Sequence, residues 1–287
     1  MTLKESIISN LSQYEYINKL LGNAIRKRLA IRGYTRGMLT ANLLDGGISK
    51  KDLESLEYVL QLGEKHCADF KYIFKERKLP NKDLAIDGEI TNILAEVRAF
   101  EFLWQRGFRD ICKIRRKPDT KIVDFTARKD NQNYAVEVTR LGLAQADRKK
   151  PRHIIEDDLI RYTVSEDNKL IGELVGKWFL TSGKENTPRI MEAIRDAIHN
   201  EYPQIKDFSK IQGSDWRGML FISTGRDYFV MNKYARAEFE MHRNAVEEAL
   251  KRVWDLFQEE REDFRYLHHT VIMIGKDLGK TIMYPEL

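Results

Sequence analysis

The chain has 287 residues, of which 42% are hydrophobic and 32% are charged, enough for one large domain or two modest ones with a sizeable core. Its longest apolar stretches are far too short to cross a membrane, and its first residues lack the apolar region of a signal peptide. We therefore expect a cytoplasmic protein with no membrane partner. Two cysteines, Cys67 and Cys112, argue against a disulfide framework, and the sequence holds no paired-cysteine zinc motif.

The net charge of +5 is modest, but it is distributed unevenly along the chain. Between Lys113 and Arg152 the sequence has twelve Lys/Arg and five Asp/Glu, a surplus of +7. A second basic cluster begins at Arg26 and contains no acid. Such surpluses attract polyanions, so nucleic acid is the expected partner, DNA before RNA. The candidate phosphate contacts are Arg26, Lys27, Arg28, Arg115, Arg116, Lys117, Arg140 and Lys149.

The first 85 residues are predicted to be helical and to form a region of their own. Residues 3–29 carry apolar side chains at helical spacing, and a second helix is expected to begin after Ser49, which suits a helix N-cap. Pro80 then interrupts the chain before a different pattern begins. The chain is therefore divided into a helical region, residues 1–85, and an α/β (α+β) core, residues 86–287.

Helices and short strands are predicted to alternate in the core. A helix over 89–106 ends at Gly107, which suits the position just after a helix. The polar residues from Asp130 to Asn133 indicate a hairpin between the second and third predicted strands. The further predicted elements are strands over Ile111–Arg116, Lys121–Arg128 and Asn133–Arg140, a helical segment over 153–210, a strand over Gly218–Thr224, a helix over 231–260 and a closing strand over Thr270–Ile274.

Two acids lie inside apolar segments that are predicted to be strands. Asp124 stands within Ile122–Phe125, and Glu137 stands within Tyr134–Thr139. Burying an acid is costly, so a plain surface role fits them poorly. If the two strands pair, the carboxylates fall near each other, and at about 4 Å they repel by roughly 4 kcal/mol at an effective dielectric near 20. A divalent cation or a proton must offset that repulsion, and Mg²⁺ with its oxygen ligands is the economical answer.

A third acid, Glu96, is predicted to face the core from its helix. Ile93, Phe100 and Leu103 share its face at helical spacing, whereas Glu101 belongs to a polar stripe expected to face solvent. Helix, strand and strand would thus each contribute one acid to a metal site. The alternative for Glu96 is a buried salt bridge to an arginine.

These residues, in this order, resemble the motifs of the PD-(D/E)XK, or restriction-endonuclease-like, nuclease superfamily. The segment Glu96–Phe108 is similar to the family's first helix, Val123–Phe125 to its first metal motif, and Ala135–Thr139 to its second. Gly218–Gly225 would be the strand that follows the second helix. The resemblance covers about residues 86–226 and leaves the N-terminal region outside it.

The resemblance implies a central mixed sheet flanked by helices and a metal-dependent nuclease that hydrolyses phosphodiester bonds of DNA or RNA. Glu96, Asp124 and Glu137 would then be catalytic residues and would hold Mg²⁺ or Mn²⁺. Asp119, which follows a proline, competes with Asp124 for the first ligand position, and Asp124 is preferred because its segment is apolar. The sequence leaves the oligomeric state open, and a homodimer is compatible with the resemblance, since nucleases that cut both strands often work as dimers.

The chain departs from the family at Thr139, which stands where the family has a lysine that orients water and balances charge. A relocated lysine is one explanation, and Lys150, with Lys149 beside it, is the candidate for the catalytic role. The alternative is a nucleic-acid-binding module that kept the fold and lost the chemistry. A helical regulatory or assembly protein is the third interpretation.

Overall fold

The computed structural model describes most of the chain, in eleven ranges. They are residues 3–30, 50–75, 83–115, 122–140, 161–164, 170–173, 187–213, 215–223, 234–259, 264–273 and 281–286. Within these ranges no helix is both long enough and apolar enough to cross a membrane.

Helices precede, interrupt and follow a set of short strands. The helices are α1 (Leu3–Leu11), α2 (Glu15–Ala30), α3 (Lys50–His66), α4 (Tyr72–Lys75), α5 (Asp83–Gln105), α6 (Thr187–Gln212) and α7 (Tyr234–Glu259). The strands are β1 (Cys67–Ala68), β2 (Arg109–Lys113), β3 (Phe125–Lys129), β4 (Gln132–Arg140), β5 (Arg161–Val164), β6 (Leu170–Glu173), β7 (Trp216–Ser223), β8 (Leu267–Met273) and β9 (Ile282–Tyr284).

Seven of these strands form one mixed sheet, in the order β1-β2-β3-β4-β7-β8-β9. Strands β2, β3 and β4 form an antiparallel meander, whereas β7 runs parallel to β4 and β8 parallel to β7. Helix α6 connects β4 to β7, and α7 connects β7 to β8, as parallel neighbours require a crossover. The expected mixed sheet flanked by helices is therefore confirmed.

Alternating side chains of the central strands pack into two cores, one on each face of the sheet. On β7, Met219 and Phe221 join the core built with α1, α2, α3 and α5. Leu220 and Ile222 join the other core, built with α6 and α7. Because successive residues of a strand point to opposite faces, each position can be assigned to the α5 side or the α6 side of the sheet.

Several local predictions are confirmed by backbone geometry. Gly107 has φ +83°, and the amide of Phe108 donates to the carbonyl of Leu103 at 3.0 Å, which closes the end of α5. Asp130 and Asn131 have φ of 49° and 62°, the pair of positive values that a tight hairpin turn between β3 and β4 demands.

Three element predictions were wrong or incomplete. The predicted helical segment 153–210 contains an antiparallel strand pair, β5 and β6, before α6 begins at Thr187. The residues Arg161–Val164 are aromatic and β-branched in part, and such short runs carry no decisive periodicity. Strand β8 is not the closing strand, because β9 pairs antiparallel with it. The helical N-terminal region also supplies a strand, since β1 pairs parallel with β2.

Glu101, on the polar stripe of α5, does not face solvent as predicted. Glu101 is 6% exposed and forms an ion pair with Arg98, which is 2% exposed. Buried residues surround them in the sequence of α5, from Ile93 to Leu103, so this helix is enclosed on more than one side. A helical period shows which residues share a face, but it does not show that both faces are covered.

Gly218→Ala is expected to lower the stability of this sheet. An added Cβ would lie 2.2 Å from the carbonyl oxygen of Tyr266 and 2.3 Å from Cγ2 of Ile205, and neither the backbone nor the core yields easily. We expect a loss of roughly 1–3 kcal/mol in the free energy of unfolding, measured by urea denaturation.

The matched control is Gly22→Ala in α2, where the added Cβ meets only the flexible ends of Asn18 and Arg26. It should be neutral or gain up to about 1 kcal/mol, since glycine is a poor residue inside a helix. Equal effects of the two substitutions would contradict this packing.

Candidate functional site

The three acids singled out in the sequence are all buried. Glu96 on α5 is 2% exposed, Asp124 just before β3 is 0% exposed, and Glu137 on β4 is 2% exposed. An acid in such surroundings needs hydrogen bonds and countercharges to be tolerated. The predicted burial is confirmed, and the partners of each acid determine what the site can do.

A lysine that the sequence reasoning did not single out connects two of these acids. The Nζ of Lys113 lies 2.7 Å from Oδ1 of Asp124 and 3.0 Å from Oε2 of Glu96. The lysine is itself only 2% exposed. The alternative of a buried salt bridge for Glu96 is therefore what the structure contains, with a lysine in place of the expected arginine.

Strand β2 positions this lysine. Lys113 is its last residue and pairs with Phe125 of β3, whose ring lies 5.1 Å from Nζ. Burial by itself lowers the pKa of Lys113, but the charges of Asp124 and Glu96 and their hydrogen bonds outweigh it, so the pKa is raised above its ordinary value. The lysine is therefore an ammonium ion at neutral pH.

Asp124 is held on both sides of its carboxylate. Its Oδ1 accepts from Lys113, and its Oδ2 accepts from the backbone N–H of Val138 at 3.0 Å. Its carbonyl also accepts from the N–H of Ile114 at 2.9 Å. Asp124 thus links the ends of β2, β3 and β4, and these hydrogen bonds fix the position of its carboxylate.

Glu137 lies at the same end of the sheet as this cluster. Phe125 of β3 pairs with Val136 of the antiparallel strand β4. When this register is continued by one residue, Asp124 lies opposite Glu137. Val136 packs in the core on the α5 side, so the alternation of β4 points Glu137 toward the α6 side. The structure therefore joins Glu96 to Asp124 through Lys113 and places Glu137 on the neighbouring strand.

Thr139, which stands where the sequence resemblance predicts a lysine, is hydrogen-bonded to an acid. Its Oγ1 donates to Oε1 of Glu201 on α6 at 3.0 Å, and Nε2 of Gln204 donates to Oε2 of the same carboxylate at 2.5 Å. Glu201 and Gln204 were not identified from the sequence. Their segment offered only a helical period, and the contact depends on the packing of α6 on the sheet.

The predicted basic contacts are spread over several elements. Arg115 follows the cluster by two residues and lies 5.2 Å from the ring of Tyr72. Arg140 donates to Oδ1 of Asn92 on α5 at 3.2 Å, so it lies on the face opposite to Thr139. Arg26 donates to Asn18 within α2 at 2.6 Å. Lys27 and Arg28 are also on α2, whereas Arg116, Lys117, Asp119, Lys149 and Lys150 lie outside the described residues.

Two thiols lie beside the lysine but are poor nucleophiles. Register pairs Cys67 of β1 with Ile111, and Ala68 with Cys112, so both thiols lie near Lys113. Burial raises the pKa of Cys67 to about 12, and burial also raises the pKa of Cys112. The thiolate is the reactive form, so neither thiol supplies the chemistry of this site.

The carboxylate oxygens of this site are the kind of ligand that a hard cation prefers. Among the described residues, no group of three or more His, Cys, Asp or Glu side chains is close enough to hold a metal ion. Mg²⁺, however, usually takes only one or two carboxylates and completes its shell with water and substrate phosphate. Asp124 and Glu137, neighbours across the β3–β4 pair, are the carboxylates that fit that requirement, because each carboxylate oxygen accepts more than one bond.

Lys113 could have been recognised from its place in the alternation of β2. Ile111 is buried and the lysine stands two residues later, so the two share the inward face of a short strand. A lysine at such a position needs an acid partner. The identity of the partners was hidden because they lie 11 residues away, at Asp124, and on a separate helix.

Comparison of the chain with protein-family models, with curated proteins and with solved structures finds no match in any of the three.

Lys113→Met is expected to destabilise the protein by about 3–5 kcal/mol, because it removes the cation that two buried carboxylates contact. The double variant Glu96→Gln/Lys113→Met should be more stable than Lys113→Met alone, since one of those buried charges is removed as well. Guanidinium denaturation of the two variants and the wild type measures both effects. A wild-type midpoint for Lys113→Met would show that the ion pairs contribute nothing.

The stabilisation from Lys113 should also depend on pH. Its pKa in the folded state is raised above the value of 10.5 that it has when unfolded, so its contribution is complete below that pH. The contribution is lost as the pH rises through the folded-state pKa. The difference in unfolding free energy between wild type and Lys113→Met should be constant from about pH 7 to 9 and should shrink at higher pH. A difference that grows at high pH would contradict the assignment.

Proposed function

We propose that the protein is a cytoplasmic, metal-dependent nuclease that hydrolyses phosphodiester bonds of DNA or RNA, with DNA the favoured substrate. The observation that carries the proposal is the placement of Asp124. It is fully buried, it contacts the ammonium of Lys113, and it accepts a backbone bond from β4 next to Glu137. Acids and a lysine held together in this way are expensive to maintain unless they have a task.

The order of the elements supports the proposal. A helix that carries an acid is followed by a three-stranded antiparallel meander, a second helix and a strand parallel to the last strand of the meander. The restriction-endonuclease-like core implied by the motifs has the same succession. In this chain α5, β2–β4, α6 and β7 would form that core.

Asp124 and Glu137 would hold the Mg²⁺ or Mn²⁺ ion. When bound, such an ion supplies a water of lowered pKa and stabilises charge on the attacked phosphate. Glu96 contacts Lys113 rather than joining the two carboxylates directly, so we assign it the role of holding that lysine. This refines the sequence-based interpretation, in which all three acids were ligands.

Lys113 supplies the positive charge that Thr139 does not. Its ammonium is fixed between two carboxylates, with its pKa raised, and it therefore stays charged throughout the physiological range. A fixed cation beside the attacked phosphate lowers the energy of the charge that develops there. Lys113 provides this charge from β2, on the α5 side of the sheet. A lysine at position 139 is then not needed, and Thr139 can form its hydrogen bond with Glu201.

Asp124→Asn and Glu137→Gln are expected to lower cleavage at least a hundredfold, because each removes an anionic ligand while keeping the shape of the side chain. The assay is cleavage of labelled single- and double-stranded DNA and RNA with Mn²⁺, followed by electrophoresis. The matched controls are Asp255→Asn and Glu248→Gln on α7, which should cleave like the wild type. Absence of cleavage of every substrate by the folded wild type would overturn the proposal.

Lys113→Arg is expected to fold but to cleave at least tenfold more slowly, since the guanidinium keeps the charge and changes its position. Lys150→Ala should cleave at nearly the wild-type rate if Lys113 is the required cation. The opposite result, a slow Lys150→Ala and a normal Lys113→Arg, would return the role to the relocated lysine predicted from the sequence. Single-turnover rates with saturating protein separate these outcomes from changes in binding.

The second candidate function is nucleic-acid binding without cleavage. It is favoured by the contacts of Lys113 and Thr139, because an ammonium already balances Glu96 and Asp124 without any metal. Such a protein would bind nucleic acid with a strong dependence on salt but with no dependence on metal, and Glu137→Ala would leave the affinity unchanged.

A further inference from the structure

Three cations at one corner of the fold each lie over an aromatic ring. The corner is where α5 ends, β2 begins and β3 ends. The pairs are Arg106 over Phe102 at 5.3 Å, Arg109 over Trp104 at 5.0 Å and Lys129 over Phe108 at 5.5 Å, measured to the ring centroid. None of these contacts was foreseen from the sequence, and none belongs to the carboxylate cluster, which consists of Glu96, Asp124 and the lysine between them, Lys113.

The rings hold these cations in defined positions. Phe102 and Phe108 are buried in the core on the α5 side, and Trp104 is stacked on His66 with centroids 4.2 Å apart. Rings fixed in this way cannot follow a moving side chain, so the attraction of a cation to the ring face keeps the cation near one place. The guanidinium of Arg109 is further held by donation to the carbonyl of Phe108 at 2.9 Å.

The corner carries a net positive charge. Arg109 is aligned in register with a fourth cation, Arg128, and the nearby acids are Asp110 and Asp130, both exposed. Throughout the described ranges, Arg106, Arg109, Arg128 and Lys129 form no ion pair with an acid. Four cations beside two carboxylates leave an exposed positive surface, which attracts a polyanion.

We infer that this corner binds the phosphate backbone of nucleic acid and holds it in line with the carboxylate cluster. The inference rests on the proposed function only in taking nucleic acid as the partner. Arg109 and Lys113 are the first and last residues of β2, with a bulge between them, so at the rise of a strand they are at most about 13 Å apart. A duplex that runs along β2 therefore reaches from the corner to the end of the sheet where Lys113 and Asp124 lie.

The chemistry of the corner favours nucleic acid over a lipid surface. Membrane-surface sites combine basic residues with exposed Trp, Phe or Leu side chains that enter the bilayer. Here Phe102 and Phe108 are buried beneath their cations, and the half-buried Trp104 is stacked on His66 and lies under Arg109. The large hydrophobic residues that are exposed in the described part of the chain, Ile8, Tyr58, Ile211 and Leu256, belong to α1, α3, α6 and α7 rather than to this corner.

The test compares two triple variants of equal charge. The corner variant is Arg106→Gln/Arg109→Gln/Lys129→Gln, and the control, on α6 and α7, is Lys210→Gln/Lys251→Gln/Arg252→Gln. Fluorescence anisotropy with a short labelled DNA duplex in EDTA, which stops metal-dependent cleavage, gives the affinity at several salt concentrations. Vesicles that contain anionic phospholipid form a second arm, and thermal melts confirm that both variants are folded.

The corner variant should lose at least tenfold in affinity for the duplex, and its salt slope should fall by about 2–3, roughly 0.9 for each lost phosphate contact. The control variant should lose less than a third as much affinity. A corner variant that binds the duplex like the control would overturn the inference, as would loss of vesicle binding with duplex binding unchanged. If the corner variant loses binding but the wild type cleaves nothing, the inference stands and the proposed function fails. If the wild type cleaves and the corner variant binds normally, the proposed function stands and the inference about the corner fails.

Discussion

The buried ammonium of Lys113 is the interaction on which this end of the molecule depends. It contacts Glu96 on α5 at 3.0 Å and Asp124 at 2.7 Å, and so it connects a helix to the ends of two strands. Moving three charges out of water costs several kcal/mol for each ion, and their mutual attraction offsets that cost only when the geometry is good. An apolar cluster of the same volume would hold these elements together as well, so the proposed function gives a reason for keeping the charges that stability alone does not.

The sheet divides the site into two parts, and a hydrogen bond from β4 to Asp124 connects them. On the α5 side, Lys113 and Glu96 form a buried ion pair. On the α6 side, Glu137 and Thr139 face a helix whose Glu201 is hydrogen-bonded to Thr139. Asp124 connects the two parts, because its second oxygen accepts from the backbone between Glu137 and Thr139. A substrate phosphate at this end of the sheet would thus meet acids from one part and a cation from the other.

Much of the fold could be predicted from local patterns, whereas the partners of the charged residues could not. The apolar neighbours of Asp124 and Glu96 predicted their burial, and the polar run at Asp130 predicted the hairpin, because each signal lies within a few residues. Lys113 and Glu201 act through contacts set by strand register and helix packing, which leave no local mark. The same limit explains Glu101, whose burial depends on what covers the second face of α5.

The most direct test of a metal-dependent site is a titration of Mn²⁺ into the wild-type protein bound to a duplex that carries a non-cleavable phosphorothioate, followed by water-proton relaxation. We expect saturable binding of Mn²⁺ that requires the duplex for full affinity. This binding should be lost in Glu137→Gln and retained in Lys113→Arg. Phosphate completes the coordination of such an ion, so the duplex should tighten binding. No Mn²⁺ binding by the folded wild type, with or without the duplex, would contradict the account.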